Sequence, residues 1–255
     1  MCWETIWAFL NSNFSTAFLG SISGAVAGSA TILLIGWYDQ QKKILADINA
    51  SIGLLTSTLN TLLNIKKQHS WPLLQEHQKN ITTYQSGQEL KLRGISPSEP
   101  ITINYFVNLK QFQCPKLHFE LPLERIFSLL SASKEDLISP MMNVKALLYE
   151  IENACQVWNQ VAVQVLSLPE EDAKKVYLGL NPRPGVNGNF FSDTIKNLDV
   201  AIDTGLFFTR LSIQRLRKCG EIELPSWLQN KIIRSEITSE EYKRLMPPEN
   251  FKNWS

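Results

Sequence analysis

The chain has 255 residues, with 25 Lys+Arg against 24 Asp+Glu, for a formal charge of +1. That balance excludes a polycationic nucleic-acid binder working through bulk charge, and 44% hydrophobic residues with 12 Gly and 12 Pro exclude a disordered tail. A mean hydropathy of −0.11 is that of a soluble protein, yet the apolar, uncharged residues are gathered at one end.

Between Glu4 and Asp39 no side chain carries charge. After a short interfacial segment, 1–13, the run Phe14–Tyr38 gives 25 residues, and about 20 suffice for a helix to cross a hydrocarbon layer. Trp3 and Trp7 precede it and Trp37-Tyr38 closes it, as a headgroup belt favours. A cleaved signal peptide would carry basic residues before a compact apolar stretch, whereas this one carries Glu4. Residues 14–38 are therefore expected to be a transmembrane helix. Ala17, Gly20, Gly24, Ala27, Gly28 and Thr31 fall near one face of it, with Phe18, Leu19, Ile22, Val26 and Leu33 opposite. Helices in lipid associate where small residues let backbones approach, so this face is the expected helix–helix interface of a homo-oligomer. Lys42 and Lys43 follow the exit, and the positive-inside rule places residues 39–255 in the cytoplasm.

Past the membrane, Leu45, Ile48, Ile52, Leu55, Leu59 and Leu62 are spaced 3, 4, 3, 4 and 3, a heptad seam of coiled-coil type over 39–68. The same register run backwards reads Gln41, Tyr38, Leu34, Thr31, Ala27, Gly24, Gly20 and Ala17. One helix over about 14–67, roughly 80 Å long at 1.5 Å per residue, would carry both stripes. The seam suits either self-association along the whole helix or packing on the chain's own later helices. Two of those later helices are long, forming a pair within 141–220. Val144, Leu148, Ile151, Cys155, Trp158, Ala162 and Val165 mark one. Ile195, Leu198, Ile202, Leu206, Thr209, Ile213 and Leu216 mark the other, with an expected C-terminus at Gly220. Shorter helices are expected from Pro122 to Ser131, from Pro169 to near Gly179, and after the capping box Thr238-Ser239-Glu240-Glu241 within a C-terminal tail, 221–255. The fold class is all-α: a transmembrane helix continuing into an antiparallel cytoplasmic bundle. A loop or small β-hairpin is inserted near 93–122, pinned by Phe106, Phe112 and Phe119.

The chain resembles a family of single-pass bacterial membrane proteins of unknown function. The resemblance rests on Leu10-Asn11-Ser12-Asn13-Phe14-Ser15-Thr16-Ala17 opening the Gly-spaced helix and on Leu63-Asn64-Ile65-Lys66-Lys67-Gln68-His69-Ser70-Trp71-Pro72-Leu73. A weaker part is Leu121-Pro122-Leu123-Glu124-Arg125-Ile126. It implies a bacterial inner-membrane location and no particular activity.

No motif announces chemistry. The four Cys include no Cys-x-x-Cys, and Cys114 with His118 supplies half of a zinc site with no second pair at ligand spacing. No phosphate-binding loop, nucleophile elbow or His-Glu-x-x-His is present, so no catalytic residue, metal or cofactor is expected. Lys66, Lys67 and His69 form a basic cluster that suits a phosphate-bearing ligand or a protein partner, or else the cationic last turn of the long helix. Arg210, Arg215, Arg217 and Lys218 read as a solvated helix face, and no specific nucleic acid is expected. The expected function is a membrane-anchored interaction or scaffold protein with an unidentified cytoplasmic protein partner. The alternatives are a membrane-disrupting or channel-forming effector, as in phage defence, and an enzyme whose site is assembled from distant side chains.

Overall fold

The structure, a computed structural model, describes residues 7, 13–94, 109, 111–113, 135–182, 188–234, 239–248 and 251. Among them every regular element is helical, so the chain is all-α. Helix α1 (Asn13–Ile65) runs through a π turn (Lys66–Ser70) into α2 (Trp71–Leu92). Then come α3 (Glu135–Leu166), α4 (Glu170–Tyr177), α5 (Phe190–Glu223), α6 (Ser226–Gln229) and α7 (Glu240–Leu245).

The bundle is built on α5. Its seven stripe residues, Ile195 to Leu216, are buried, as are the seven from Val144 to Val165 on α3 and the six of the α1 seam. Each of those aliphatic side chains is worth about 1.5–3 kcal/mol on burial. Position 205 lies against Leu62 of α1 and Ile151 of α3, while position 220 lies against Ile48, so α5 runs antiparallel to α1. Trp158 near Phe191, with ring centroids 5.3 Å apart, gives the same sense for α3 and α5. The seam is thus consumed inside one chain.

Several boundaries differ from those the sequence suggests. The long helix does not stop near residue 67. Pro72 has no N–H, and its ring crowds the carbonyl four residues back in a regular helix. The π turn loosens the winding there. Trp71 N–H donates to the Lys66 carbonyl, five residues away, and Pro72 then sits in the first turn of α2. Pro140 likewise lies inside α3, which starts at Glu135 rather than Met141. Gly220 is not a terminus, since α5 continues to Glu223 and ends before Pro225. A Cβ on Gly220 would come within 2.8 Å of Ile232 Cδ1, so it is a close-packing glycine.

The end of α4 is as expected. Gly179 takes φ of 76°, Leu180 N–H reaches the Lys175 carbonyl at 2.7 Å, and Gly179 N–H reaches Val176 at 3.1 Å. This is a Schellman motif, which needs a residue comfortable in the left-handed region. Helix α7 starts after Ser239, but that side chain makes no capping bond.

Within the 93–122 insertion, Gly94 ends the turn after α2, and only Leu109 and residues 111–113 are described beyond it. Phe112 is pinned as expected. Asn159 exchanges two hydrogen bonds with its backbone, at 2.9 and 3.1 Å, and its ring stacks on His69. The hairpin alternative, Phe106, Phe119, the helix from Pro122, and the Cys114/His118 pair lie outside the described residues.

Candidate functional site: the apolar span and the polar node at the π turn

Every described side chain from Ala17 to Gln40 is exposed, and burial begins only at Gln41. This N-terminal stretch is long and apolar enough to cross a membrane, and none of its apolar window is buried. The side chains of Phe18, Val26, Leu33 and Leu34 are more than half exposed. The small-residue face is bare as well. A Cβ added at Gly20, Gly24 or Gly28 would meet nothing within 4 Å, and Ala17, Ala27 and Thr31 are exposed beside them. Three of the described hydroxyls of this stretch turn back on the helix. Ser21 donates to the Phe18 carbonyl at 2.9 Å, Ser23 to Gly20 at 3.0 Å, and Thr31 to Ala27 at 2.8 Å. A helix surrounded by hydrocarbon needs its polar groups satisfied internally in this way.

At the far end of the seam the π turn turns Lys66 and Ser70 toward Asp203 and Asp199, one turn apart on α5. Lys66 Nζ donates to Asp203 Oδ1, and Ser70 Oγ donates to Asp199 Oδ1 at 2.8 Å. Lys66, Ser70 and Asp199 are buried. Loss of water pushes the Asp203 carboxyl above its ordinary value despite the opposing pull of Lys66, and Asp199 adds to the upward shift. Farther along α2, His77 Nε2–H donates to the Tyr177 carbonyl at 2.8 Å and Asn80 donates to the Tyr177 hydroxyl at 2.9 Å. His77 packs edge-on to Tyr177 and close to Phe191. Burial, helped by Lys196, lowers its pKa to about 4.

The three members of the basic cluster turn to three different partners within the chain. Lys66 is buried against Asp203. Lys67 pairs with Glu241 of α7 at 2.7 Å, and its bond to that carboxylate raises its pKa. His69 stacks on Phe112 with centroids 4.4 Å apart and planes at 8°, and burial lowers its pKa. Tyr242 adds a bond to Asn64 at 2.8 Å, so α7 straps the π turn from outside. The helix continues past these residues, which overturns the reading of a cationic last turn. The node was invisible in the sequence, because its aspartates lie more than a hundred residues from their partners. The one available signal was the i, i+4 spacing of Asp199 and Asp203 on an otherwise apolar stripe.

Compared with family models, with characterised proteins and with solved structures, the chain matches none.

Proposed function

We propose that the protein is a membrane-anchored helical scaffold of a bacterial inner membrane, of the single-pass kind its sequence resembles. In this reading residues 14–38 cross the bilayer, residues 39–255 stand in the cytoplasm, and copies associate through Ala17, Gly20, Gly24, Ala27, Gly28 and Thr31. The observation that carries the reading is the abrupt change along α1 from complete exposure before Gln41 to a buried seam from Leu45. Water around so many bare apolar side chains is unfavourable, and a bilayer removes that cost. Because α5 already occupies the seam, any partner helix is confined to the membrane half of the stripe. The partner recognised in the cytoplasm is a protein.

A channel-forming effector is less well supported by the same helix. The hydroxyls of Ser21, Ser23 and Thr31 are turned back on carbonyls of the preceding turn, whereas a polar lumen needs hydroxyls directed at water.

The test replaces Gly20, Gly24 and Gly28 together with Ile and measures crosslinked oligomers in native membranes. The substitutions meet open space within one chain. Oligomers lost while membrane insertion and expression persist support the interface; an unchanged crosslinking ladder overturns it.

A further inference from the structure

Trp227, on the four-residue helix α6, is brought to the point where the apolar run of α1 ends. Its ring stacks on Tyr38 with centroids 5.0 Å apart and planes at 14°. Lys42 Nζ also lies over the Tyr38 ring, 4.3 Å from its centroid. Trp227 is 41% exposed, Tyr38 40% and Trp37 47%. These three aromatics, two from the span and one from the bundle, therefore share one level along α1.

The position of Trp227 is fixed, not that of a loose loop tip. Leu228 beside it is buried, as is Leu224 just before the turn. Gln229 Nε2 donates to the carbonyls of Glu221 at 2.8 Å and Leu224 at 2.9 Å, which closes the turn. Farther along, Asn49 of α1 clamps the following segment, donating to the Lys231 carbonyl at 3.0 Å and accepting from Ile233 N–H at 2.9 Å. There is no flexible linker either. From Tyr38 to the first buried seam residue, Leu45, is seven residues of continuous helix, about 10 Å.

We propose that α6 is an interfacial foot: Trp227 lies in the lipid headgroup layer beside Trp37 and Tyr38 and holds the bundle against the bilayer surface. The occupant is the bilayer interface. An amphipathic indole at the level of an aromatic belt is favoured there, with its ring among the upper acyl carbons and its N–H in the wet headgroup region. Continuity with the apolar span argues for lipid over a soluble partner. The consequence is a fixed angle between bundle and membrane, because the domain then touches the surface at two points, α1 and α6. The inference rests on the reading that residues 14–38 span a bilayer.

The full chain, labelled with 5-fluorotryptophan and reconstituted in phosphatidylcholine nanodiscs, provides the test. The Trp227 and Trp37 fluorine resonances are assigned by their disappearance in Trp227→Phe and Trp37→Phe. A lipid with a nitroxide near the headgroup is then added. The expected result is loss of both resonances by paramagnetic broadening, with that of the buried Trp158 retained. If Trp37 is lost and Trp227 keeps its width, as when a second copy covers the ring, the foot is overturned and the anchor stands. If neither is broadened, the membrane reading fails, and the foot with it.

Discussion

At the residue scale the most consequential group is Lys66, a buried cation whose partner is on another helix. Removing one member of such a pair strands the other charge in a poorly solvated site, while replacing both by apolar groups removes the problem. Lys66→Met should therefore destabilise the fold by about 3 kcal/mol, and Lys66→Met with Asp203→Leu should recover most of that loss. Thermal unfolding of the four members of this cycle checks it; additive losses with no coupling would contradict the node. His77 makes a second prediction. Its pKa is about 4 in the folded chain against an ordinary 6.5, so below pH 6.5 the unfolded chain takes up a proton that the folded one refuses. Stability should fall as pH drops from about 6.5 to about 4 and then cease to depend on this group. His69, lowered by burial, acts in the same direction. Denaturant midpoints measured across that range should lose part of their slope in His77→Gln.

At the scale of elements, packing rather than propensity decides where helices begin and end. The three heptad stripes were legible because aliphatic side chains at spacing 3 and 4 have one physical explanation, and all of them are buried. Helix α2 was not legible. Pro72 stands at its start, and among its 22 residues only His77 and Gly87 are buried, so no apolar period marks it. The boundaries at Pro140 and Gly220 misled for a related reason. A proline or glycine is read locally as punctuation, but here neighbouring helices override it. Gly205 shows what such a glycine does. A Cβ there would meet Ile151 Cδ1 at 2.8 Å and Leu62 Cδ1 at 3.2 Å, at the junction of α1, α3 and α5. Alanine is expected to be tolerated, since the ends of flexible side chains can shift. Gly205→Val should cost about 1–3 kcal/mol by forcing the three helices apart, seen as a lower unfolding temperature. A midpoint unchanged from wild type would contradict this account of the junction.

On the scale of the whole molecule, the continuous stripe along α1 divides into two uses. From Leu45 to Leu62 it is the inner face of the chain's own bundle. From Ala17 to Thr31 the same stripe is bare. The sequence could not tell these uses apart, because a heptad seam looks the same whether its partner is another copy or another part of one chain. What distinguishes them is the presence of α5, which packs along the stripe at Leu62 and Ile48 and leaves it bare before Gln41. The near-neutral charge and middling hydropathy of the chain are averages over these two parts. The central claim is that the bare part crosses a membrane and leaves the bundle in the cytoplasm. It is tested most directly by labelling with a membrane-impermeant maleimide in intact bacterial spheroplasts. In a background carrying Cys2→Ser and Cys114→Ser, where the remaining Cys155 and Cys219 are buried, Asn11→Cys and Lys43→Cys each add one new thiol, before the apolar run and after it. The account predicts that the thiol at position 11 is labelled in intact spheroplasts and that the one at position 43 is labelled only after lysis. Equal labelling of both before lysis, or labelling of position 43 alone, would contradict it.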